Sequence, residues 1–174
     1  MLHFQTELAL YESNLCGHLQ QMVYFLRRIP PDQFDYCPTV AAPTPRILAT
    51  HAWQWLVCDR YHINEPDASK HPPVPDPPGE PEALCSVLEE EIENWRTLLR
   101  SLTPEDLLAE RNQFNEYPMN VRAFIGHIIQ NSIYKNGQLS TLYYALGLDG
   151  TEPYDAPFPN AVYEEVFGPR SVEP

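Results

Sequence analysis

Four long segments of this chain repeat apolar residues every third or fourth position, and none alternates with period two for long enough to demand a strand. In the first, Phe4, Leu8, Tyr11, Leu15, Leu19, Met22, Leu26 and Ile29 form the series that Pro30-Pro31 ends, because proline lacks an N–H and its ring collides with the preceding turn. The second opens at Thr44-Pro45, a capping hydroxyl followed by proline at the first helical position, and runs to about Ile63. The third follows Pro81, with Leu84, Val87, Leu88, Ile92, Trp95, Leu98 and Leu99 as its seam, and Thr103-Pro104-Glu105-Asp106 opens a short extra helix with a box-like cap. The fourth starts near the N-cap Asn120 and ends at Gly147, which suits the left-handed position after a helix. Four amphipathic helices of about 20 residues are the content of a bundle. The predicted fold is all-α: a four-helix bundle over residues 1–149, then an irregular tail over 150–174.

The connection between the second and third helices is long and rich in proline. Glu65 to Pro81 holds seven of the nineteen prolines, which predicts an extended, semi-rigid segment. At about 3.1 Å per residue it can reach roughly 50 Å, whereas a helix of 18 residues is only about 27 Å long. The linker can therefore run the length of the bundle, so that helices two and three point the same way. The tail carries Tyr154, Phe158, Tyr163 and Phe167 among its prolines, which predicts packing on the bundle or on the partner of a dimer.

A formal charge of -13 argues against a nucleic-acid surface, which needs clustered Lys and Arg. Only two lysines occur, Lys70 and Lys135. No stretch approaches the roughly 20 consecutive apolar residues of a membrane span, and the Met-Leu-His-Phe-Gln-Thr-Glu start lacks signal-peptide character. A cytoplasmic location is the default expectation. Cys16, Cys37, Cys58 and Cys85 are widely spaced and read as reduced, mostly buried thiols. Cys58, seven residues after His51, is the one with a candidate activating neighbour, although a core cysteine is the stronger reading.

The chemistry concentrates in two helices. At about 100° per residue, a stripe on the fourth helix centred on Asn131 begins at Phe124, ends at Leu142, and carries His127, Asn131, Lys135 and Gln138 between them. Four polar residues at the centre of a core-facing stripe need partners or a purpose. On the second helix Ile47, Leu48, His51, Trp55, Cys58 and His62 share one face, so His51 is placed to meet the fourth-helix cluster. Bland roles exist for each residue. His51 can be a satisfied core histidine, Asn131 and Gln138 can fix bundle register, Lys135 can snorkel outward, and Gly137 can permit close helix approach. Trp53, Trp55 and Trp95 read as core or interface anchors.

These segments resemble the DinB/YfiT-like family, whose members are regarded as metalloenzymes. In helix two the similar run is Thr44-Pro45-Arg46-Ile47-Leu48-Ala49-Thr50-His51. In helix four it is Asn120 through His127, with Tyr134-Lys135-Asn136-Gly137-Gln138 similar to the family's His-Arg-Gly-Gln ending. The resemblance implies a bundle with a long crossover after helix two, commonly homodimeric. It also implies a zinc or nickel site built from one histidine of helix two and two histidines spaced i, i+4 in helix four. His51 matches the first, and the other two positions fall on Asn131 and Lys135. An amide is a poor ligand and an ammonium repels the ion, so the resemblance implies a degenerate metal set. His51 with His127, and a carboxylate such as Asp59, would make a displaced site.

Three functions are consistent with this reading. One is a small-molecule-binding or interaction module in which Lys135 stands in for the metal charge and anchors a small anionic ligand or an internal carboxylate. Another is a metal-dependent hydrolase or thiol-dependent transferase with a rearranged site using His51 and His127. The third is a ligand-free structural stress protein. Whether the chain is an enzyme is left open. A second apolar face on helix four (Ile125, Ile129, Ser132, Leu139 and Tyr143) predicts either two flanking helices or a subunit contact.

Overall fold

The computed structural model describes residues 7–67, 69–113 and 117–148. Four helices dominate: α1 (Glu7–Arg28), α2 (Pro45–Asn64), α3 (Pro81–Ser101) and α4 (Val121–Ala145). Their ends follow the local chemistry of the sequence. The Thr44 side chain accepts from the Ile47 N–H (3.1 Å), and the Asn120 side chain accepts from the Ala123 N–H (2.8 Å). At the far end of α4, Gly147 takes φ +68, and Leu148 N–H bonds to the Tyr143 carbonyl (3.3 Å). Thr44→Ala and Asn120→Ala are each expected to lower stability by about 1 kcal/mol, read as a lower urea midpoint at unchanged slope.

Helix directions follow from which ends meet. Arg27, late in α1, pairs with Glu82 and Glu89, early in α3, while Glu12 pairs with Arg100, so α1 and α3 are antiparallel. Glu7 meets Arg122 and Arg28 meets Tyr143, so α1 and α4 are parallel. Arg46 donates to the Gly79 carbonyl (2.5 Å) just before α3, and Arg111, shortly after α3, donates to the Ile63 carbonyl (2.9 Å) near the end of α2. Thus α2 and α3 run the same way. The predicted crossover is present. From Glu65 the linker turns back along α2: His71 meets His62, the Pro75 carbonyl accepts from Gln54 (2.9 Å), and Gly79 reaches Arg46.

The core is continuous through the four helices, with Trp95, Phe124, Phe34, Leu15, Leu84 and Leu88 fully buried. Cys16, Cys58 and Cys85 are buried thiols and Cys37 is exposed. Burial pushes the Cys58 thiol up, with the Asp59 charge adding to the shift, so it is a core residue without activation.

The expectation of no strand is corrected. Glu110–Gln113 (β1) and Tyr117–Asn120 (β2) pair antiparallel, with Glu110 opposite Asn120 and Gln113 opposite Tyr117. Neither four-residue stretch alternates, and Pro118 lacks a ladder donor. The extra helix at Thr103 is also corrected to a single 3-10 turn, Asp106–Leu108. Its box-like cap does form, with Thr103 N–H and hydroxyl both donating to Asp106 Oδ2. The expected packing of the tail lies outside the described residues. No helix among the described residues is long and apolar enough to cross a membrane.

Candidate functional site

Helix α4 is wedged between α1 and α2, and this moves its buried arc. The buried positions are Val121, Phe124, Ile125, Ile128, Ser132, Lys135, Asn136, Leu139, Leu142 and Tyr143, an arc centred about one residue on from Asn131. The second apolar face is covered within the chain: the Tyr143 ring packs on Phe25 (5.5 Å between centroids) and Asn136 donates to Gln21 Oε1 (3.2 Å). A subunit contact is not needed to bury it. Gly137 is corrected as well, since a Cβ there would meet open space and no close helix approach requires glycine.

The predicted polar residues therefore separate. Lys135 is buried at 8% exposure, Asn131 and Gln138 are half-buried, and His127 is exposed. On α2 the buried arc runs through Leu48, Ala52, Leu56, Asp59 and Ile63, while Ile47, His51 and Trp55 lie on an exposed flank. His51 is thus corrected from a seam residue to a flank residue. Its reason is geometric: α2 turns its Leu48–Leu56 side to the core, which carries position 51 outward by about 100° from position 52.

One narrow cleft joins the helices. Leu19, Ala52 and Leu56 form its apolar wall, and Trp55, Asp59, Asn131, Ser132 and Lys135 supply its polar edge. Its volume is about 20 Å³, room for one water molecule. Burial pushes the Lys135 ammonium below its ordinary value, and the Asp59 carboxylate acts in the opposite direction. Asp59 is 3% exposed and lines the same cleft, so its charge offsets part of the cost of burying the lysine. Sequence reasoning reached Asp59 only as an optional metal ligand, although it continues the Ala52–Leu56–Ile63 spacing that would have placed it inside. It also missed a second polar junction, where Asn136 donates to the His18 carbonyl (2.8 Å) and to Gln21, tying α4 to α1.

The two histidines are engaged on their own helices. His51 Nε2 accepts from the Trp55 indole N–H (2.7 Å), which orients that ring at the cleft mouth. His127 Nε2 lies 2.9 Å from Asn131 Nδ2. Packing pushes the His51 imidazole below its ordinary value, and the Lys135 charge pushes it further. Neither histidine lines the cleft, and Gln138 does not either.

This donor set does not fit a divalent cation. The positions that the resemblance gives to the second and third ligands hold an amide and a buried ammonium, and the lone pair of His51 Nε2 is used by Trp55. Among the described residues no group of three or more His, Cys, Asp or Glu side chains is placed to hold a metal. A far larger concavity of about 490 Å³ lies between α1 and α3, lined by Val23, Tyr24, Arg27 and Ile92. Its Arg27 is tied to Glu82 and Glu89, and the polar cleft is the better candidate because it holds the desolvated charges.

A family model described as the DinB superfamily matches residues 15–139. Among solved structures, the chain is similar to a DinB-like protein of Bacillus subtilis, with a TM-score of 0.67 and 21% identity, over 82% of this chain and 94% of that one. That likeness speaks to the fold. No curated protein matches the chain.

Proposed function

The chain belongs to the DinB superfamily, and we propose that it works as a small-molecule-binding module in which the buried Lys135–Asp59 pair replaces a metal ion. The observation that carries this reading is the seat of Lys135: an ammonium sunk between α2 and α4, at a position where the family resemblance places a ligand, facing a buried carboxylate. A buried charge needs a counter-charge, and Asp59 supplies it. An anionic ligand would have to compete with Asp59 for the ammonium. The neutral balance of the pair favours instead a small molecule with both a donor and an acceptor, entering past Trp55 and Asn131 in place of the single water that the cleft accommodates.

Two measurements test the reading. Elemental analysis of protein purified without a metal-affinity tag is expected to find zinc and nickel well below one equivalent. Stoichiometric metal that disappears in His51→Ala would overturn the proposal in favour of the hydrolase or transferase reading with His51 and His127. The binding role is tested by a fragment screen followed by NMR of 15N-labelled protein. Hits are expected to shift the Trp55 indole and Asn131 side-chain signals and to lose affinity in Lys135→Met; hits that ignore the cleft count for a structural role. A homodimer, implied by the resemblance, would have to use a surface other than the Ile125–Tyr143 face, because α1 covers that face.

A further inference from the structure

The crossover linker is fastened near its start by two imidazoles. His62, in the last turn of α2, is 3% exposed, and His71 heads the run Pro72-Pro73-Val74-Pro75. His62 Nε2 lies 3.0 Å from His71 Nδ1, with ring centroids 5.3 Å apart and planes at 69°. The centroid separation exceeds the nitrogen separation by about one ring width, so the rings meet head-on along one N···N line, as a donor and an acceptor do. Two nitrogens held by one metal ion would instead converge on a point off that line.

A head-on pair of imidazoles responds to the number of protons it carries. With both rings neutral, one nitrogen donates and the other accepts. One added proton makes the donor an imidazolium and the bond becomes charge-assisted. A second sets N–H against N–H and places two cations in contact. Only the second proton breaks the contact. The neighbouring charges are arranged around it from each packed element. Arg60 of α2 is bound by Glu91 of α3 (2.5 Å), and Asp59 lines the cleft that it shares with Lys135 of α4. Arg111 of β1 approaches at the Ile63 carbonyl, and Lys70 of the linker pairs with Glu65 (3.3 Å). The Tyr61 ring stands edge-on to His62 at 6.0 Å.

We propose that the His62–His71 contact is a proton-operated latch: the singly protonated pair keeps the linker on α2, and double protonation in mild acid releases its first half. Arg46 still holds the Gly79 carbonyl, so the end of the linker next to α3 stays in place, while the Gln54 bond to the Pro75 carbonyl loosens with the first half. Release opens the concavity of about 130 Å³ between linker and helix, lined by Gln54, Trp55, Cys58 and Val74. Trp55 also lines the Lys135 cleft, so lifting the linker removes support from a wall common to both. Burial, and then the His71 charge, push His62 below its ordinary value. The unfolded chain therefore binds more protons in the interval between the folded value and about 6.5, and stability falls as pH drops through that interval.

The test is an NMR titration of the full chain from pH 8 to 5, following the imidazole nitrogens of His62 and His71, the Gln54 side-chain amide and the Val74 methyl groups. The Trp55 indole is left out as a reporter because it bonds to His51. Two steps are expected, the first confined to the imidazoles and the second, below about 6.5, moving Gln54 and Val74 together. His71→Gln keeps an acceptor but gains no charge, and it is expected to abolish the second step while the fold is retained. Independent titration of the two histidines with Gln54 and Val74 unmoved would overturn the latch. Survival of the second step in His71→Gln would overturn it too. The latch stands or falls separately from the binding role, since neither result depends on a ligand.

Discussion

Asp59→Ala is expected to lower stability by about 3–5 kcal/mol, because it leaves the Lys135 ammonium buried without its counter-charge. Exposure alone would not mark Asp59 out from the apolar residues around it. Its effect comes from the asymmetry of buried pairs, in which removing one partner is far worse than removing both. The double variant Asp59→Leu, Lys135→Met is therefore expected to recover most of the loss, and it fills the small cleft with apolar atoms. Urea unfolding of the two single variants and the double variant measures the coupling directly. Near-additive losses would mean that Asp59 and Lys135 do not act as a pair. The pH dependence adds a separate signature. Lys135 holds its proton less tightly folded than unfolded, so between its folded value and about 10.5 the unfolded chain binds more protons, and stability rises with pH there.

Trp95→Ala is the second large expected effect, a loss of about 3–5 kcal/mol from cavity formation at a fully buried site. Its indole N–H also donates to the Leu56 carbonyl (3.1 Å), which joins α3 to α2 across the parallel interface. Trp95→Phe retains most of the ring volume and isolates that hydrogen bond, for which a loss of about 1 kcal/mol is expected. A loss near the alanine value in the phenylalanine variant would show that the bond, more than the packing, holds the two helices in register.

Most of the fold was legible because its signals are local. Thr44, Asn120 and Gly147 act within one helical turn, and each stands at the helix end that its chemistry predicts. The proline run between Glu65 and Pro81 foretold the crossover, since an extended segment of that length fits a parallel pair of helices. The hairpin left no such trace. Its strands are four residues each and neither alternates, so no period-two signal marked them.

The site was legible in part. Trp55, Asn131 and Lys135 do line one cleft, as the helical spacing suggested, but His51, His127 and Gln138 do not. The error came from centring the α4 stripe on Asn131. A wheel gives the angle between residues on one helix, and it cannot say how far the helix is rotated against its neighbours. Here α1 and α2 both pack on α4, which turns its buried arc towards Ser132 and Asn136.

By itself, the sequence determined the number of helices, their ends and the long crossover, because each is written in neighbouring residues. Only the tertiary structure decided that Asp59 and Lys135 line one cleft, that His51 serves Trp55, and that His71 returns to His62. Those are contacts between separate elements or between rotamers, and they follow from helix rotation and from the path of the linker, which packing of the whole core sets.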